Sequence, residues 1–188
     1  MSSPSAGAAV LRAEVFIGPF LPFERGKGTF AATTSTLVCG ASEAVLIDAQ
    51  HIRSDVDALG DLIERSGRRL TTIYATHGHA DHWYGAGELV ARFPGARVIT
   101  TPPVLEYIDR EAEVQAQQWA VMFGDRVAKP TVVPEALDGL TLELEGHELQ
   151  IVEVGQGDIR PSTVVHIPAI DAVVAGTWFT TRFMRCSA

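Results

Sequence analysis

Residues 70–75, Leu-Thr-Thr-Ile-Tyr-Ala, form a short apolar, β-branched run that passes without interruption into Thr76-His77-Gly78-His79-Ala80-Asp81-His82. A run of this kind reads as a strand buried on both faces. The chain must therefore fold so that an interior strand delivers a cluster of hydrophilic side chains at its carboxyl end. Only six histidines occur in 188 residues, and three of them fall inside this one segment beside an aspartate.

Imidazole nitrogens and carboxylate oxygens are the donors that suit zinc and other divalent first-row metals, which zinc binds at roughly 2.0–2.2 Å. His77 and His79 alternate along the extended chain and can be aimed at one point. Gly78 between them permits a tight bend. Asp81 and His82 reach a neighbouring point from the first turn of the next helix. The spacing predicts four ligands divided between two adjacent metal ions, and the bland alternative is a solvated polar turn.

The flanking pattern predicts a layered α/β (α+β) sandwich. Residues 11–17 and 33–39 read as strands, and 43–48 as a buried strand that delivers Asp48 at its carboxyl end. Ser54 with Asp57 resembles a capping box before Val56, Leu59, Leu62 and Ile63 at helical spacing, with a stop at Ser66-Gly67. Helices are expected over 88–93 and 104–123, with a strand over 96–100 between them. From residue 131 onward the helical pattern ends, and runs at 141–144, 149–154, 163–167 and 172–175 predict an antiparallel meander. One domain over 11–176 is expected, preceded by a Ser/Ala/Gly-rich flexible segment, 1–10.

Fifteen Lys and Arg against 23 Asp and Glu give a net charge of −8 and a pI near 5.2. That balance offers no footprint for a nucleic-acid backbone or an anionic membrane surface, which leaves a small molecule as the expected partner. No apolar run approaches the roughly 18 residues of a membrane span, and no secretion signal is visible, so a cytoplasmic location is expected. Cys39 and Cys186 are read as inert and unpaired.

The stretch T-H-G-H-A-D-H resembles the His-x-His-x-Asp-His motif of the metallo-β-lactamase fold superfamily. The likeness extends to Asp48, Gly85, Gly155 and Ser162-Thr163. It implies the αβ/βα sandwich of that family, with His77 and His79 on a first metal and Asp81 and His82 on a second. Asp48 is implied to orient the loop, with a turn or capping role as the bland alternative, and Asp81 also to handle a proton. Zinc, one or two ions, is the implied cofactor, with manganese or iron as alternatives. The implied chemistry is hydrolysis of an ester, lactone, thioester or amide-like substrate by a metal-activated water. Flavodiiron-type relatives usually carry Glu where this chain has His79, which favours hydrolysis over oxygen reduction.

The resemblance also expects a His after the strand ending near Gly155, a bridging Asp after Gly176 and a late His. Gln156 occupies the first position, where an amide oxygen is a weaker zinc ligand than imidazole, and a substrate contact or a plain turn are its alternatives. Thr177 follows Gly176, and residues 177–188 do not continue the meander. One added nucleotide before codon 177 permits Asp-Val-Val-Tyr-Asn-Ala-Ile-His instead. The tail is therefore read as out of frame and the sandwich as incomplete at its C-terminus, with self-association through an uncovered sheet expected. The rival reading is a catalytically impaired fold remnant or interaction module that binds metal weakly.

Overall fold

A computed structural model describes residues 10–24 and 27–176. Expectations for the N-terminal segment and for Thr177 and the tail lie outside the described residues, apart from Val10. In chain order the strands are β1 (Arg12–Ile17), β2 (Leu21–Pro22), β3 (Thr29–Phe30), β4 (Thr34–Cys39) and β5 (Glu43–Ile47). Helix α1 (Arg53–Ser66), β6 (Arg69–Tyr74), α2 (Ala86–Arg92), β7 (Arg97–Thr100) and α3 (Pro102–Phe123) follow. The second half holds β8 (Glu135–Ala136), β9 (Thr141–Leu144), β10 (His147–Gly155), β11 (Ser162–Ile167) and β12 (Ala172–Val174).

Six strands form a mixed sheet in the order β1-β4-β5-β6-β7-β8, antiparallel through β5 and parallel from β5 to β8. The expected meander forms a second, antiparallel sheet, β12-β11-β10-β9. Strands β4 and β5 are buried on both faces, their side chains alternating between two cores. Leu37, Cys39, Ala44 and Leu46 point to the helices, while Val38, Val45 and Ile47 point to Leu144, Leu149, Ile151 and Val165 of the second sheet. Both faces of β4 and β5, in the middle of the sheet, are thus dry, and polar groups that must meet water or a ligand are driven to the carboxyl ends of β5 and β6.

The Ser54–Asp57 capping box does not form. Ile52 is the N-cap residue and no side chain caps the helix; the Asp55 and Val56 amides bond to the Ile52 carbonyl at 2.9 Å. The stop is as expected, with left-handed Gly67 donating to the Glu64 carbonyl. Glu145, between β9 and β10, links the two sheets. Its carboxylate accepts from the Ala41, Ser42 and Glu43 amides and the Ser42 hydroxyl at 2.5–2.8 Å. These donors hold its carboxyl down at about 2.

Candidate metal centre

The histidine-rich loop leaves β6 and closes into a single 3-10 turn, Ala80–His82, rather than the first turn of an α-helix. Two contacts with the second sheet fix its start: Thr163 donates to the Thr76 carbonyl through its amide at 3.0 Å and its hydroxyl at 2.7 Å. His77 forms an isolated bridge with Ser162. From the other side, Gln115 of α3 accepts from the Ala80 amide at 2.9 Å and donates to the Gly78 carbonyl at 2.8 Å. Gly78 is not in the left-handed region. A Cβ there would lie 2.3 Å from the Tyr107 ring, so close packing against α3, rather than a tight bend, requires the glycine.

His77 and His79 converge, as the spacing predicts, and the third group that meets them is Asp158. One ligand atom from each of the three lies within 4.8 Å of the others. Asp158 Oδ2 is 2.5 Å from His79 Nδ1 and 3.8 Å from His77 Nε2. Gln156, the sequence candidate for this place, is exposed, whereas the turn beyond Gly155 carries Asp158 to the imidazoles. His77 Nε2 is buried and has no hydrogen-bond partner among the described residues, while its Nδ1 meets the Thr76 hydroxyl at 3.1 Å. Burial, followed by the nearby His82, pushes the His77 pKa down and favours the neutral ring that can donate a lone pair. The facing His77 ring, opposed by partial burial and helped by His79, holds Asp158 below the ordinary carboxylate range. A buried imidazole nitrogen without a partner, facing a carboxylate, fits a divalent cation.

Asp81 and His82 lie together one step deeper, with His82 Nε2 3.3 Å from Asp81 Oδ2. Thr33 donates its hydroxyl to Asp81 Oδ2 at 3.1 Å. His82 Nδ1 lies 2.8 Å from Asp48 Oδ2, and Asp48 is in turn fixed by the Thr76 amide at 2.9 Å and the Thr76 hydroxyl at 3.0 Å. Asp48 occupies the left-handed region, φ 63°, as does Gln50 at φ 62°. Such backbone costs about 1–2 kcal/mol in a residue with a Cβ. Here it turns the Asp48 carboxylate back beneath the loop. Burial opposes ionisation of Asp81, yet His82, His51 and His77 hold its carboxyl far below the ordinary range. Burial likewise opposes a charge on His82, and Asp81 and Asp48 override it and raise the ring well above its ordinary value. Asp81 is thus already an anionic donor, and His82 is the group whose proton a bound cation displaces.

Asp48 is thus brought to the site as a carboxylate behind a ring. Trp83 and Tyr84 are core residues, 3% and 2% exposed. His51 is buried, ringed by Phe30, Trp119 and Phe123 at 5.6, 4.8 and 5.1 Å between centroids. Three participants were not found by sequence reasoning. Asp158 could have been noticed as an acid in a glycine-bearing turn after a strand; Thr33 and Gln115 carry no local signal, because tertiary packing alone brings them to the loop.

The sequence profile of the metallo-beta-lactamase superfamily matches residues 28–176. The chain belongs to that superfamily. Its fold is shared with a metallo-beta-lactamase family protein from Thermus thermophilus. That protein is 20% identical over 86% of this chain and 58% of its own, with a TM-score of 0.58. A beta-lactamase domain protein from Burkholderia ambifaria aligns at 16% identity over 87% of this chain and 51% of its own, with a TM-score of 0.63. The metallo-beta-lactamase IND-7 aligns at 18% identity over 92% and 67%, with a TM-score of 0.60. The superfamily chain therefore spans a little over half the length of the first two structures. None of the curated proteins matches it significantly. Among the described residues no helix is long and apolar enough to cross a membrane.

Proposed function

We propose that this chain is a metal-dependent hydrolase in which His77, His79 and Asp158 hold a first divalent cation and Asp81 and His82 a second. Zinc is the cation that the imidazole and carboxylate donors suit best. The observation that carries the reading is the buried, unpartnered Nε2 of His77 facing Asp158. Asp158 takes the place for which the sequence offered Gln156.

His77, His79 and Asp158 would hold a cation that, when bound, would supply acidification of water towards neutrality and polarisation of a carbonyl or phosphoryl oxygen. The chain's own groups set the geometry. Asp48 fixes the His82 ring through Nδ1 and leaves Nε2 turned to Asp81. Thr33 holds one oxygen of Asp81, so the carboxylate cannot rotate freely when it ligates or takes a proton. Gln115 and Thr163 pin the loop from opposite sides, which keeps the ligands near their working geometry before metal arrives. Small-molecule esters, lactones, thioesters and amide-like compounds are the proposed substrates.

The test is metal analysis of the full chain after zinc loading and exhaustive dialysis, paired with turnover of generic ester, lactone, thioester and β-lactam substrates. One to two equivalents of retained zinc with chelator-sensitive hydrolysis are expected. Metal-free protein without turnover would overturn the reading in favour of a fold remnant.

A further inference from the structure

Helix α3 turns one face to the metal loop, and residues spaced by three and four along it line a cleft of about 570 Å³ that also contains His79, Asp81 and Asp158. Its apolar wall is Val114, Trp119 and Met122 from α3, with Tyr107 beside Gly78 of the loop and Phe30 packed edge-on against Trp119 at 5.3 Å between ring centroids. From Val114 to Met122 the helix advances about 12 Å. That is room for an extended chain rather than a methyl group.

The polar groups of the cleft are as informative as the apolar ones. Gln118 offers a neutral amide, and Glu111 joins Asp81 and Asp158 as a third carboxylate. No Lys or Arg lines the cleft among the described residues. The nearest guanidinium, that of Arg110, lies 5.2 Å over the Tyr107 ring and is paired with Glu111 at 2.9 Å. In the metal-free cleft a carboxylate would meet negative charge. With Asp81 and Asp158 neutralised by cations, a carboxylate at the far end of a chain laid along α3 would still lie against the apolar wall, near Glu111 and with no unengaged guanidinium or ammonium among the described residues of the cleft to offset its desolvation. An uncharged apolar chain would find a wall of matching chemistry beside the ligands.

We infer that the site takes neutral acyl substrates, an ester, lactone or thioester with an uncharged aliphatic chain laid along α3, and discriminates against carboxylate-bearing ones. This rests on the hydrolase reading for its reacting end and on the cleft alone for its chain.

Two measurements on the full chain keep those apart. In the metal-free protein, the neutral fluorescent probe N-phenyl-1-naphthylamine is displaced by octanamide or by octanoate, which share one chain and differ in charge. Octanamide is expected to compete at least tenfold better, and Val114→Asp, at a half-exposed position, to weaken it about tenfold. In the zinc-loaded protein, kcat/KM for p-nitrophenyl esters is expected to rise about fourfold per methylene from acetate to octanoate, with the monoglutarate ester at least tenfold below butanoate. Val114→Asp should lower the octanoate-to-acetate ratio about tenfold. Octanoate binding as well as octanamide, displacement indifferent to Val114→Asp, or a preference for the glutarate ester would overturn the inference. Preferential octanamide binding that responds to Val114→Asp, without hydrolysis of any ester, would uphold the chain site and defeat the hydrolase reading.

Discussion

Asp158 Oδ2 lies 2.5 Å from His79 Nδ1 and faces His77 Nε2 at 3.8 Å, so a residue from the second sheet completes a donor set begun on the first. The three donors come from two strand ends, the loop after β6 and the turn after β10, and are brought together when the sheets pack. Asp158→Asn keeps shape and removes the anionic donor. It is expected to weaken zinc binding by at least 10- to 100-fold, the range found even for partners that do not touch the metal. Competition with a chromogenic chelator measures it. Asp158→His, which supplies a neutral nitrogen donor, is expected to recover most of the loss, and equal affinity in wild type and Asp158→Asn would remove Asp158 from the ligand set.

The Asp48–His82 contact is buried at both ends, 1% exposed on each side chain. Removing one partner of a buried pair costs about 3–5 kcal/mol where the other is left uncompensated. Here Asp81, 3.3 Å from His82 Nε2, still faces the ring, and the cost is that of a lost charged hydrogen bond, about 1.5–3 kcal/mol. Asp48→Asn is expected to destabilise the metal-free chain by that order and to lower the affinity of the second metal 10- to 100-fold. Denaturant melts and a two-site zinc titration read the two effects. A melt shifted without any change in the weaker zinc constant would mean that Asp48 serves the loop alone.

How much of this was legible in the sequence follows from the range of the interactions. β5, β6 and the heptapeptide between 76 and 82 declare themselves because period-2 burial and ligand spacing are local. The antiparallel second sheet is equally legible, as alternating runs between Gly, Asp and Pro turns. The Ser54–Asp57 cap failed because the helix starts at Arg53, with Ile52 as its N-cap, which puts Ser54 inside the first turn instead of at the capping position. Gly78 was identified as special, but its reason, the Tyr107 ring, lies on a helix a whole element away. Gln156 stands where the family motif expects a ligand and Asp158 carries no such signal, because the turn that brings Asp158 to the imidazoles is decided by packing.

His51 carries a pH signature. Burial lowers its pKa from 6.5 to about 4, and neither ring nitrogen has a hydrogen-bond partner among the described residues. Between those values the unfolded chain binds a proton that the folded chain refuses, so stability falls as the pH falls. The penalty is absent above pH 6.5, grows by about 1.4 kcal/mol per pH unit and is complete below pH 4. His51→Phe keeps an aromatic ring against Phe30, Trp119 and Phe123 and removes the titration. It is expected to gain about 2 kcal/mol on the wild type between pH 8 and pH 5, read as the difference between urea melts. A pH-independent difference would show that His51 does not titrate in this window.

Gln115 is expected to tune metal affinity although it touches no metal. Its amide is 5% exposed, and both of its polar atoms are engaged by the loop, the oxygen by the Ala80 amide and the nitrogen by the Gly78 carbonyl. Gln115→Leu leaves both backbone groups buried without partners, a cost of about 1–3 kcal/mol each, and frees the backbone on either side of His79. Zinc affinity is expected to fall about 10- to 100-fold along with the loss of stability. Affinity alone does not separate a loosened site from a weakened fold, so the deciding measurement is a double-mutant cycle with His79→Ala. If Gln115 acts by holding His79, its removal costs little once that imidazole is gone, and the two effects on zinc binding fall short of their sum. Additive effects would reduce Gln115 to a core contact of α3.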